Sequence, residues 1–157
     1  MIDPKILREL LELLGRPEIP INVRTSIATE LGQHHYLPAK ELLIAGLHDP
    51  DSNMRSACIT ALSIDMQLKE VAPHLVEILL EDEFENVRID AAYGLGALRY
   101  KTALPSLKLV IQDESLDMSL RGSAFKAVLS ILGREQDDPP ELWGKPVDID
   151  WGLVGSL

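Results

Sequence analysis

An apolar residue followed by arginine recurs at Val23-Arg24, Met54-Arg55, Val87-Arg88 and Leu120-Arg121, at spacings of 31, 33 and 33 residues. This period restricts the fold more than any other feature of the chain. A unit of that length holds one helix pair, one pair cannot bury its apolar face alone, and successive pairs must therefore stack. The registers around the arginine agree. Three, four and seven residues after it stand Ile27, Ala28 and Leu31; Cys58, Ile59 and Leu62; Ala91, Ala92 and Leu95; and Ala124, Phe125 and Val128. Eight residues after it stand Gly32, Ser63, Gly96 and Leu129, small in three of the four units. Glycine inside a helix costs roughly 1 kcal/mol relative to alanine, so Gly94 and Gly96 are expected where two helices approach closely.

Turn and cap residues divide the chain in step with this period. Asp3-Pro4 opens a first helix, with Asp3 as cap and Pro4 at the first helical position, and Gly15 with Pro17 closes it. Helices are predicted over about 23–32, 38–48, 54–64 and from Pro73 through Leu80. Two more follow at about 86–99 and 104–112, and a last one over about 118–132, ended by Gly133. Asp49 to Asn53, Glu81 to Glu85 and Asp113 to Asp117 read as turns. The expectation is an all-α fold, a right-handed superhelix of about eight helices over residues 1–133. An irregular arm, 134–157, packs as a cap. The last unit lacks a second helix to cover Phe125, Val128, Leu129 and Leu132, and the arm offers Leu142, Trp143, Val147, Ile149, Trp151, Leu153 and Val154. The competing expectation is an exposed arm whose tryptophans anchor a partner.

Charge narrows the function classes. Fifteen Lys and Arg against 25 Asp and Glu give a net charge of −10, which opposes a nucleic-acid groove, where phosphates must be neutralised. It suits a basic partner. A lone cysteine, Cys58, excludes an intramolecular disulfide and fits a reducing compartment. The start of the sequence lacks the basic and apolar regions of a signal peptide, and no apolar run is long enough to span a bilayer. A cytoplasmic protein without membrane contact is expected.

The segments Leu47-His-Asp-Pro-Asp-Ser-Asn-Met-Arg55, Leu80-Glu-Asp-Glu-Phe-Glu-Asn-Val-Arg88 and Ala91-Ala-Tyr-Gly-Leu-Gly-Ala-Leu98 resemble the HEAT-like repeats of small bacterial proteins. That family includes the repeats of phycobilisome bilin lyases. The resemblance covers roughly residues 3–132. It implies stacked helix pairs, a binding platform as the usual role, and a packing role for the repeated arginine. The chain departs from the pattern in three places: the first unit is two residues short, Asp113 stands where other units have Leu47 and Leu80, and the fourth unit has no second helix.

No catalytic constellation emerges, and no cofactor or metal is called for. The ladder Arg24, Arg55, Arg88 and Arg121 reads either as an anion-binding row or as a set of internal bonds to the turn of an adjoining unit, and the second reading is preferred. His34, His35, His48 and His74 fall on different elements or in a connector, a poor arrangement for a metal. Cys58 stands at a core register and reads as a small apolar residue. The carboxylates Asp49, Asp51, Glu81, Asp82, Glu83, Glu85, Asp113, Glu114 and Asp117 all fall in turns that lead into a first helix. Capping and turn preference account for many of them. A ridge facing a basic protein is the functional alternative.

The function expected is therefore a non-catalytic protein-binding module. It presents a rigid curved surface and an acidic edge, in a sharper form as an immunity-type inhibitor of a basic, nucleic-acid-directed protein. A lyase or lyase subunit is the alternative. A repair glycosylase needs a cationic groove, whereas Lys40, Glu41, His74, Glu77 and Lys108 on the second helices are mixed in charge.

Overall fold

A computed structural model describes residues 2–134 and 149–157, and every regular element among them is helical. In order these are α1 (Pro4–Leu14), α2 (Ile21–Gln33), α3 (Lys40–Gly46), α4 (Ser52–Ile59), α5 (Ala72–Glu81), α6 (Glu85–Ala97), α7 (Leu104–Gln112), α8 (Met118–Leu132) and α9 (Trp151–Ser156). Short 3-10 turns lead into α3, α5 and α7, and α4 continues as a π-helix over Thr60–Asp65. The described residues form two compact units, Met1–Val71 and Ala72–Leu157.

In the first unit α2 packs against α1 and α4, and α3 packs against α4. In the second, α6 lies between α5 and α8, and α7 packs on α8. All twelve residues three, four and seven places after the arginines are buried. So are Gly32, Ser63, Gly96 and Leu129. A Cβ at Gly32 would lie 2.7 Å from the Cα of Ala61, and one at Gly96 would lie 3.1 Å from the Cα of Ala127. Both glycines set how closely two backbones approach. Ser63 is tolerated in the core because its hydroxyl donates to the carbonyl of Ile59 at 2.6 Å.

The first helix of every pair ends by one device. His35, Gln67, Arg99 and Gly133 are left-handed, with φ of 50, 53, 50 and 71°. The next amide then turns back to a carbonyl in the last turn. The bonds are Tyr36 to Leu31 at 2.9 Å, Leu68 to Leu62 at 2.9 Å, Tyr100 to Leu95 at 3.2 Å and Arg134 to Leu129 at 2.8 Å. Gln67 stands twelve residues after Arg55, whereas His35 and Arg99 stand eleven after Arg24 and Arg88. Gly133 likewise stands twelve after Arg121. In α4 the additional residue coincides with the π-helix, in α8 the returning amide bonds Leu129, one residue later, and Leu62 and Val128 are both buried.

Two expectations change. α2 begins at Ile21 rather than Val23, because the carbonyl of Pro20 already accepts from the amides of Val23 and Arg24. The arm is not irregular throughout. It ends in α9, whose cap Asp150 accepts from the amide of Leu153 at 3.0 Å. Ile149 and Val154 are buried, and Lys108 of α7 donates to the carbonyl of Gly155 at 3.4 Å. Trp151, expected among the buried residues, is 52% exposed. Leu142, Trp143 and Val147 lie outside the described residues.

Candidate functional site

The ladder arginines join helices. Nε of Arg24 donates to the carbonyl of Leu14 at 3.3 Å, Nε of Arg88 to that of Leu79 at 2.8 Å, and Nε of Arg121 to that of Ile111 at 2.9 Å. Leu14, Leu79 and Ile111 lie in the last turns of α1, α5 and α7. Carbonyls there have no partner within their own helix and carry the negative end of its dipole. A guanidinium answers both needs. Arg55 reaches its own turn: Nη1 donates to the carbonyls of Asp49 at 2.9 Å and Pro50 at 3.2 Å, and the residue is only 7% exposed. Arg121 also lies over the ring of Trp151, 5.7 Å from its centre.

The nine turn carboxylates divide by residue type. Every aspartate among them accepts from a nearby amide. Asp49 takes that of Asp51 at 3.0 Å, Asp51 those of Asn53 and Met54 at 2.9 and 3.1 Å, and Asp82 that of Phe84 at 2.9 Å. Asp113 takes that of Ser115 at 3.0 Å, and Asp117 that of Ser119 at 2.9 Å. The shorter side chain closes these local rings, and a glutamate cannot do so as well. Glu81, Glu83, Glu85 and Glu114 are exposed. The acids among the nine that make none of these local amide bonds are the four glutamates, all in the second unit; Asp113 and Asp117 are also exposed. Asp49 and Asp51 belong to the first unit, where Asp49 also meets Arg24 at 3.4 Å.

The same 25-residue spacing links Arg88 to Asp113. Asp113 is held below the ordinary carboxylate range first by the Ser115 hydroxyl and amide, with Arg88 and Arg121 adding their charge. The α5–α6 turn and the α7–α8 turn are therefore electrostatic neighbours.

Phe84 was invisible to reasoning from charge. It occupies the N-cap position of α6, makes no side-chain cap hydrogen bond there, and is 42% exposed. The corresponding residues 33 places before and after it are Asp51 and Asp117, which cap α4 and α8. That alignment is the sequence signal that picks it out.

The remaining candidates have structural surroundings. Burial pushes the Cys58 thiol up to about 12, with the charge of Asp49 adding and that of Arg24 opposing. That is wrong for a nucleophile at neutral pH. His34 lies 3.6 Å from Glu30 on the surface, and burial raises Asp65 against the charge of His35. Among the described residues no three His, Cys, Asp or Glu side chains converge as a metal needs. A cleft of about 180 Å³ opens in the first unit beside Leu14, Leu42, Met54 and the Arg24–Asp49 pair. No helix among the described residues is long and apolar enough to cross a membrane.

Residues 7–84 match the family model for HEAT repeats. No curated protein matches the chain. The arginine-to-carbonyl bond found within the matched segment recurs beyond it, at Arg88 and Arg121. HEAT repeats generally act as protein-interaction scaffolds.

Proposed function

This chain is a HEAT-like repeat protein, and from that premise we propose that it works without catalysis, as a scaffold that holds a basic protein partner against an acidic surface. The observation that carries the reading is the division of the carboxylates. Five aspartates are used in local rings, while Glu81, Glu83, Glu85 and Glu114 face solvent with no such duty. A net charge of −10 supports it by steering a basic partner over long range. In its sharper form the partner is a basic, nucleic-acid-directed protein whose surface this chain masks, as an immunity protein does. The lyase alternative needs a placed nucleophile or acid. Cys58, the only thiol, is buried and held protonated.

The test is capture from the source cell at low and high salt, read by mass spectrometry, with a Glu81→Lys, Glu83→Lys, Glu85→Lys variant beside the parent. Exposed charges are screened within about 10 Å at 0.1 M salt, so the partner should be lost at high salt and by the variant. A partner retained equally in all three conditions defeats the reading.

A further inference from the structure

We propose that the cleft at the end of α1 binds a small branched aliphatic carboxylate, with Arg24 holding the carboxylate and Leu14, Leu42 and Met54 lining the place of the alkyl group. The site lies wholly in the first unit and does not depend on the acidic-surface reading.

The cleft is built where four helices meet. Leu14 ends α1, Arg24 belongs to α2, Leu42 to α3 and Met54 to α4, while Asp49 stands in the α3–α4 turn. Its volume of about 180 Å³ is below the roughly 300–1,000 Å³ of sites for drug-sized ligands, so its occupant is small. Leu14 and Met54 are buried, whereas Leu42 stays 39% exposed. An alkyl group in the cleft would take apolar surface of Leu42 out of water. The unbranched thioether of Met54 adapts to the shape of what it meets.

The polar side of the cleft selects the sign of the ligand's charge. Both oxygens of Asp49 are engaged: Oδ1 accepts from the amide of Asp51 at 3.0 Å, and Oδ2 from Nη2 of Arg24 at 3.4 Å. Arg24 is engaged only in part. Nε donates to the carbonyl of Leu14 at 3.3 Å and Nη2 to Asp49, whereas Nη1 makes no hydrogen bond among the described residues. A guanidinium held in this way is preorganised and has donors to spare. What the site lacks is an acceptor, and a carboxylate matches the planar fork that a guanidinium offers. A cation would have to displace Arg24 from Asp49 and stand beside a like charge. The chain's net charge of −10 acts at long range and is screened beyond about 8 Å at physiological salt, so the local donors decide.

The test is NMR of the methionine methyl groups in the full chain, titrated with isovalerate, isovaleramide, isopentylamine and acetate. Isovalerate should move the Met54 methyl saturably and leave that of Met118, in the second unit, in place. The amide and acetate should each bind about tenfold more weakly or worse, the first for want of charge and the second for want of alkyl surface. The amine should move nothing. Two variants locate the site. Gly15 lines the cleft at φ −74°, and a Cβ there would lie 3.6 Å from Cδ1 of Leu42, an ordinary contact. Gly15→Leu should therefore fill the cleft, hold the melting temperature within a few degrees and abolish the isovalerate shift. Asp49→Asn keeps an oxygen for the Asp51 amide and removes the charge that competes for Arg24. It should tighten isovalerate binding about twofold or more. An unmoved Met54 methyl overturns the proposal, as does equal affinity for acid and amide, or binding of the amine. Unchanged binding by a folded Gly15→Leu chain shows that the cleft is not the site. Unchanged or weaker binding by a folded Asp49→Asn chain shows that Arg24 does not hold the carboxylate.

Discussion

The α3–α4 turn and the α5–α6 turn hold the same place in successive repeats and are used in opposite ways. In the first, Asp51 caps α4, Asp49 meets Arg24, and Arg55 closes the turn from beneath by bonding the carbonyls of Asp49 and Pro50. Its polar groups are turned inward. In the second, Asp82 accepts from the amide of Phe84, Arg88 donates to the carbonyl of Leu79 at the end of α5, and Glu81, Glu83 and Glu85 are exposed. Each turn connects two helices of the same stacking pattern. The same stacking pattern thus accommodates turns that differ in which residues face solvent.

The sharpest way to break this comparison is to remove the inward turn's arginine. Arg55→Ala would strip two bonds from carbonyls in a site where the guanidinium is 7% exposed. Bonds to charged groups contribute about 1.5–3 kcal/mol, and orphaned buried acceptors add to the loss. Urea unfolding should show a destabilisation of roughly 3 kcal/mol. Arg88→Ala, which removes the bond to the carbonyl of Leu79 in a less buried place, should cost about half of that. Equal losses would mean that the two turns do not differ in how firmly they are closed.

A smaller effect tests the caps. Asp51→Ala and Asp117→Ala should each cost about 1 kcal/mol, the usual loss for a capping aspartate. Asp51→Phe, which copies the second turn's residue into the first, should cost at least as much. If it does not, the capping position has no energetic preference here, and the exposed phenylalanine at position 84 needs no explanation.

How the chain ends each first helix offers a third comparison, between His35 in the first unit and Gly133 in the second. Both are left-handed, at φ of 50 and 71°, a region that costs a residue with a Cβ about 1 kcal/mol. Gly133→Ala should therefore lose about 1 kcal/mol, and His35→Gly should gain up to that amount. Gln67→Gly should gain less, because the Gln67 side-chain Nε2 donates to the carbonyls of Ser63 and Ile64 at 3.1 and 3.0 Å. Calorimetric melting of the three variants reads the signs directly.

The fold was legible because its signal is repeated. Arg24, Arg55, Arg88 and Arg121 mark the same register four times, and the buried residues three, four and seven places on follow from it. The π-helix at Thr60–Asp65 was not legible. One added residue between Arg55 and Gln67 has more than one way to be accommodated, as the same twelve-residue spacing from Arg121 to Gly133 shows without a π-helix. The candidate site was legible only as a list of nine acids. Residue type alone separates them once geometry is known, because an aspartate in a turn reaches the amide two residues on and a glutamate there reaches solvent. Phe84 went unseen for the opposite reason: a search for charge passes over an aromatic, and only the alignment with Asp51 and Asp117 exposes it. Trp151 was misjudged since composition suggests burial, while Arg121 gives its ring a partner at the surface.

The smallest expected effect is also the one that most sharpens the contrast between the two turns. If the second turn is displayed rather than used for stability, its glutamates should contribute almost nothing to folding. Their positions make a finer statement. Glu81 is the last residue of α5, where its charge meets the negative end of the helix dipole, and Glu85 is the first residue of α6, where its charge meets a positive end. Such exposed contacts are worth a few tenths of a kcal/mol, with opposite signs at the two ends. Glu81→Gln should therefore raise stability slightly and Glu85→Gln lower it slightly. The triple variant with Glu83→Gln should unfold within about 0.5 kcal/mol of the parent. Both single effects should fade at about 1 M salt, where charges are screened within roughly 3 Å. The measurement is urea unfolding of the three proteins at low and high salt. Two single effects of the same sign would remove the dipole argument. A triple variant losing more than about 1 kcal/mol would show that these side chains hold the turn together, and the difference between the two turns would disappear.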